Sequence, residues 1–175
     1  LSSLNDGLTW DPLDVATPES SPDNARMILA HRGKLRIFGD ESTETWFNSG
    51  NADYPLQPIK EATIPFGISS YYTAVLVGNS VFWVGRNKDG GNMVWRSDEY
   101  GAVPVSNFAV ENSIQAKRAT DTAELAWAYQ ENGHAFYMLS WPDDNLTWCY
   151  DTSLPPEIGW HERVYLNGST EESHR

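Results

Sequence analysis

Cysteine is nearly absent from this 175-residue sequence: Cys149 stands alone, so no internal disulfide can form. Set in an apolar run, it reads as a small buried hydrophobe, because a reactive thiol needs an electropositive, exposed setting. Basic residues are scarce too. Twelve lysines and arginines against 24 acidic residues leave a net charge of −12. The basic residues are scattered along the chain, which excludes the usual clustered cationic grip on nucleic acid. Ordinary solubility is the plain use of such a balance; a conduit lined by carboxylates, which a duplex passes without sticking, is the other. No run approaches the ~18 consecutive apolar residues of a membrane span, and no basic-then-apolar signal segment opens the chain. A soluble mature chain without a membrane partner is expected. The first residue is Leu, not Met, and the chain is expected to be a piece of a longer protein.

Signatures of catalysis are missing as well. There is no Gly-rich phosphate loop, no nucleophile elbow and no heptad. His31 and His134 lie at turns, His161 in a late strand and His174 in the tail, with no pair at zinc spacing. Asp143-Asp144-Asn145 lacks the ligand alternation, glycine and closing glutamate of a calcium loop and reads as a hairpin loop. Asp40, Glu41 and Glu44 sit among Ser42 and Thr43 in a polar turn, where carboxylates stay solvated and gain no raised pKa for acid catalysis. Asn87-Lys88-Asp89-Gly90-Gly91-Asn92-Met93-Val94-Trp95 looks like the aspartate-box hairpin of sialidase-type propellers, with its tryptophan one place late; that box is a folding turn. Asn145-Leu146-Thr147 and Asn167-Gly168-Ser169 fit the glycosylation triplet, but no signal segment supports secretion. The chain is expected to be no enzyme and to bind no cofactor or metal.

What the sequence has is a repeat. Three times an apolar β-run, a glycine turn, a second apolar run, a Trp-containing run and a polar break follow one another. The first two runs are Met27-Ile28-Leu29-Ala30 and Leu35-Arg36-Ile37-Phe38, then Ala74-Val75-Leu76-Val77 and Val81-Phe82-Trp83-Val84, then Leu125-Ala126-Trp127-Ala128-Tyr129 and Ala135-Phe136-Tyr137-Met138-Leu139. Their turn glycines, Gly33, Gly78 and Gly133, are 45 and 55 residues apart, close to the period of one four-stranded propeller blade. Third strands follow at Thr45-Trp46-Phe47, Met93-Val94-Trp95 and Thr147-Trp148-Cys149-Tyr150. Weaker fourth strands fall at Leu56-Gln57-Pro58-Ile59, Ala102-Val103-Pro104-Val105 and Trp160-His161-Glu162-Arg163, with proline marking edge positions in two. The second strand of each unit is apolar on both faces, which predicts burial on both sides by stacked blades.

The fold class is therefore all-β and propeller-like: about three tandem four-stranded modules over 26–60, 72–105 and 124–164, within a β domain of 26–166. Residues 107–118 (Asn-Phe-Ala-Val-Glu-Asn-Ser-Ile-Gln-Ala-Lys-Arg) read better as a short helix between the second and third modules. Residues 1–25 carry Asp6, Asp11, Asp14, Glu19 and Asp23 and no lysine or arginine, an extended acidic arm. Leu4, Leu8, Trp10 and Leu13 predict that it packs along a blade or a neighbouring chain. Residues 167–175 read as a polar, frayed tail. Of the eight tryptophans, Trp83, Trp95, Trp127 and Trp148 belong to strand cores, while Trp10, Trp46, Trp141 and Trp160 lie nearer loops or edges. These four are the candidate contact residues, for a protein or a glycan, although stapling blade to blade is the favoured use.

Several segments also resemble a known family. Asp6-Gly7-Leu8-Thr9-Trp10-Asp11-Pro12-Leu13-Asp14, the stretch from Phe38-Gly39-Asp40-Glu41-Ser42-Thr43-Glu44-Thr45-Trp46-Phe47 to Asn48-Ser49-Gly50-Asn51-Ala52-Asp53-Tyr54-Pro55, Ser80-Val81-Phe82-Trp83-Val84-Gly85-Arg86, Gly133-His134-Ala135-Phe136-Tyr137-Met138-Leu139 and Trp160-His161-Glu162-Arg163 resemble the packaged-DNA stabilisation proteins, or tail accessory factors, of short-tailed phages. The likeness runs from about residue 6 to 164, well under the length of a family member. It implies a structural virion protein of the tail or neck, made in the bacterial cytoplasm. Such a protein assembles as a ring below the portal after DNA packaging, plugs the channel, and gives tailspike and tail needle an attachment. The family implies no catalytic residues. The acidic arm and the loops after the second strands are the expected contacts. A glycan-binding or glycan-cleaving propeller, with exposed tryptophans stacked on sugars, is the alternative.

Overall fold

The computed structural model describes residues 6–9, 12, 23–51, 54–86, 91–119 and 124–173. The first sheet contains β1 (Met27–His31), β2 (Lys34–Phe38), β3 (Thr43–Asn48) and β4 (Leu56–Pro58). The second contains β5 (Val75–Val77), β6 (Ser80–Arg86), β7 (Asn92–Ser97) and β8 (Ala102–Pro104). Helix α1 (Phe108–Ala119) leads to the third, made of β9 (Leu125–Glu131), β10 (His134–Trp141), β11 (Leu146–Asp151) and, after the one-turn helix α2 (Pro156–Gly159), β12 (Trp160–Glu162). Strands neighbour one another in chain order and pair antiparallel throughout. Each sheet is thus a four-stranded meander, the blade of a propeller-like all-β fold, with the short helix where the sequence expects it.

Turn chemistry sets the meanders. Arg32 and Gly33 between β1 and β2 have φ of 51° and 71°, and Asn132 and Gly133 between β9 and β10 have 51° and 85°. Two successive positive φ values make the hairpin turn whose twist matches its strands. Pro58 and Pro104 both end the fourth, edge strands of their sheets, where a missing N–H costs no ladder bond.

The middle blade explains the doubly apolar second strand. Val81 and Trp83 of β6 join a core with Phe38, Ile64, Ile68 and Trp95 on the side of the first blade. Phe82 and Val84, one residue out of phase, join Tyr137, Leu139, Trp141, Val110 and Ile114 on the side of the third blade and α1. Neighbouring residues of a strand point to opposite faces, so both faces of β6 are dry. Full burial of side chains this size contributes about 1.5–3 kcal/mol each. β10 is likewise buried from Tyr137 to Trp141. β2 departs from the expectation. Arg36 and Phe38 face the second blade and are buried, but Leu35 and Ile37 on the opposite face stay partly exposed, because no further blade among the described residues packs there.

The seam between the first two blades is stitched by the connecting chain. Thr43 and Ile64 exchange backbone hydrogen bonds, Ile68 N–H donates to the Gly39 carbonyl and Ser69 N–H to the Val84 carbonyl. Phe66 stacks on Trp95 at 4.0 Å. Gly67 is required by close approach: a Cβ there would lie 2.2 Å from the Asp40 carbonyl, and one on Gly85 would lie 2.2 Å from the Gly67 oxygen. Between the second and third blades, the Tyr137 hydroxyl donates to the Thr73 carbonyl at 2.9 Å and the Trp148 indole N–H to Ser113 of α1 at 3.1 Å.

One expectation for the ends is corrected. The segment expected to fray instead forms a hairpin of β13 (Val164–Asn167) and β14 (Thr170–Ser173) around Gly168 at φ 67°. The Asn-Gly pair is itself a turn signal, so the boundary at 166/167 falls inside an element. Within the arm, Leu8 is 93% exposed within the single chain, and Asp6 accepts hydrogen bonds from the Leu8 N–H and the Thr9 hydroxyl, a local turn. Leu4, Trp10 and Leu13 lie outside the described residues. Asp23, near the end of the arm, does dock. Its carboxylate accepts from the amides of Asp40, Glu41 and Ser42, each at 2.8 Å.

Candidate functional site

Three of the four candidate contact tryptophans turn out to be interior. Trp46 is 5%, Trp141 0% and Trp160 7% exposed. The Trp46 indole N–H donates to Glu44 at 2.8 Å, and that of Trp160 to the Val105 carbonyl at 2.5 Å while its ring stacks on Tyr150 at 4.9 Å. Trp141 belongs to the core between the second and third blades. Trp141 and Trp160 staple the second blade to the third, whereas Trp46 pairs with Leu35 on the face of the first sheet turned away from the second blade; none of the three offers an open face to a ligand, and large aromatic area is worth most where it is dry. Trp10 lies outside the described residues.

The titratable candidates also resolve individually. Glu44 is not solvated as expected: it lies in β3, 2% exposed, with the Trp46 N–H as partner, because strand pairing carries the Asp40-Glu44 stretch out of its turn after Ser42. Cys149 is buried, and burial, then the charge of Asp151, pushes its thiol up to about 12. His161 is exposed on β12, and His174 and Asp89 lie outside the described residues. His134 brings together a trio that sequence reasoning missed. Its Nδ1 lies 2.8 Å from Asp151 and 3.0 Å from the Ser153 hydroxyl, which itself reaches Asp151 at 2.7 Å. A nucleophile relay needs serine and carboxylate on opposite ring nitrogens; here both meet the same one, so the trio ties down the turn after β11. Burial opposes ionisation of Asp151, yet its bonds from Ser153 and His134 outweigh burial and hold its carboxyl below the usual range.

Two of the loops after the second strands, expected to make contacts, are partly closed; the third, after β6, lies at 87–90, outside the described residues. Asp23 and Gly67 seal the loop between β2 and β3, and the loop after β10 is tied to α1 by the Lys117–Asp144 ion pair at 3.2 Å. The open polar site is at the other end of the blades. There a cleft of about 530 Å³ lies between the first two, lined by His31, Arg32, Lys34 and Arg36 of the β1–β2 hairpin, Asn79 and Ser80 at the start of β6, and Ser97, Asp98 and Glu99 at the end of β7. One wall is basic and the other acidic. Period two places Lys34 and Arg36 on the face of β2 that looks at the second blade. The Arg36 guanidinium is 5% exposed; its Nη2 donates to the Asp98 carbonyl at 3.0 Å, while its Nη1 has no partner. Burial lowers the pKa of Arg36, and burial, then Arg32 and Arg36, holds His31 below its ordinary value. Lys34 lies over the Tyr100 ring at 4.7 Å. The sequence signal was present: although the basic residues are scattered overall, four imidazole, guanidinium and ammonium groups fall within residues 31–36.

Stacked four-stranded antiparallel meanders define a β-propeller-type module. The family model for phage stabilisation, described as Bacteriophage P22 Gp10, beta-propeller, matches residues 1–168. The chain belongs to that family of packaged-DNA stabilisation and tail accessory proteins of short-tailed phages and is a phage structural protein. No curated protein matches it. No helix among the described residues is long and apolar enough to cross a membrane.

Proposed function

We propose that this chain serves in the tail or neck of a short-tailed phage virion, closing the portal channel after DNA packaging, holding the packaged DNA, and giving the tailspike and tail needle an attachment. It does so by binding other virion proteins, as a ring of several copies on the portal or adaptor, and carries no catalytic role. The observation that carries this is family membership over nearly the whole chain. The stitched blade seams support it, because a plug under load needs blades that move as one body, and glycine-tight backbone contacts resist shear. The net charge of −12 suits a wall past which DNA slides without adhering. A glycan-binding role rested on Trp46, Trp141 and Trp160, and their burial leaves them no sugar-stacking face. The test is light scattering after size exclusion, of the chain alone and mixed with a portal ring. Stable comigration is the expected outcome; a monomer indifferent to the portal refutes the role.

A further inference from the structure

We propose that the cleft between the first two blades is an oxyanion site, and that it takes a carboxylate of an acidic segment of a partner protein. The inference concerns the chemistry of this cleft and does not require the portal-closing role. Its basis is a mismatch in pairing. Among the described residues no carboxylate forms an ion pair with Arg32, Lys34 or Arg36, although Asp98 and Glu99 line the same cleft. Arg36 spends one nitrogen on a backbone carbonyl and leaves Nη1 buried without an acceptor. A buried donor without an acceptor is costly, and a guanidinium is the side chain best shaped to receive a carboxylate. Arg32 stands exposed at the hairpin tip with φ 51°, and Lys34 lies one turn residue away, so both can close on an anion that reaches Arg36.

The acidic wall selects the source of that anion. A nucleic-acid strand presents successive phosphates, and Asp98 and Glu99 on the facing wall, in a chain of net charge −12, would repel its neighbours along the backbone. A polypeptide answers the mixed lining better, because one carboxylate can meet the basic wall while peptide N–H groups meet Asp98 and Glu99.

The test is calorimetric titration of the full chain, at low and at moderate salt, with a blocked tetraglutamate peptide, blocked tetralysine, inorganic phosphate and a short duplex DNA. NMR of the arginine Nε–H resonances locates the contact. Tetraglutamate is expected to bind, to shift the Arg32 and Arg36 resonances, and to weaken about tenfold in the Arg32→Ser/Lys34→Ser double variant, the size of two exposed charge contacts. Both residues sit at the hairpin end, so that variant keeps the fold; Arg36→Lys, which keeps the charge and loses the fork, should weaken binding as well. Tighter binding of duplex DNA or tetralysine than of tetraglutamate overturns the proposal. So does tetraglutamate binding that ignores the double variant, or no heat and no arginine shift at millimolar peptide.

Discussion

Replacing Asp23 should loosen the first blade by a predictable amount. Its carboxylate accepts three amide N–H bonds at 2.8 Å from Asp40, Glu41 and Ser42 and a fourth from the Ser42 hydroxyl at 3.1 Å. Isolated charge-assisted bonds contribute about 1.5–3 kcal/mol each, whereas a single capping Asp→Ala change costs about 0.5–2 kcal/mol. The site is partly open and water can replace part of the set, so Asp23→Ala should cost about 2–3 kcal/mol in urea unfolding at pH 7. Gly39→Ala reaches the same contact from the other side, since its Cβ would lie 2.1 Å from the Asp23 carboxylate oxygen. The two changes should therefore be strongly non-additive: Gly39→Ala costly alone, nearly neutral once Asp23 is Ala. pH supplies a second check. Burial raises the pKa of Asp23, but the amide bonds together outweigh it and the folded value lies below 3.8. Its contribution is then fully present above about pH 3.8 and is lost as pH falls through the lower folded value. The gap between native protein and Asp23→Asn should be constant at neutral pH and shrink in acid. A cost below about 0.5 kcal/mol at pH 7, additive double variants, or a gap that persists in acid would refute the reasoning.

Phe82→Ala, which empties a ring stacked on Tyr137 at 5.4 Å in the core between the second and third blades, should cost about 3–5 kcal/mol by thermal or urea unfolding. Gly67→Ala should destabilise by more than an ordinary surface change, because backbone atoms 2.2 Å from the new Cβ must move; unchanged melting would remove the tight seam. Cys149 should resist thiol reagents at pH 8 until denaturant is added, since its thiol is buried and pushed up to about 12. His31, whose pKa is depressed, should make the native protein lose stability relative to His31→Gln as pH falls below about 6.5, because the unfolded chain then binds the proton more readily.

The sequence by itself determined the local pattern and its repeat. Turn glycines, apolar runs and edge prolines are read within a few residues of one another, so the three meanders, the helix after β8 and the order of strands were legible before any packing was known. The doubly apolar β6 even announced that blades lie on both sides of it. Tertiary structure decided what depends on distant neighbours. Trp46, Trp141 and Trp160 lie near loops in sequence and yet are interior, Trp141 and Trp160 because the second and third blades close over them; Glu44 is polar by neighbourhood and buried by pairing. Asp23 meets residues 40–42, and Arg36 meets Asp98, only because the arm and the second blade are brought back on the first. Burial and ion pairing are set by what faces a residue across a seam, and no spacing along the chain carries that information.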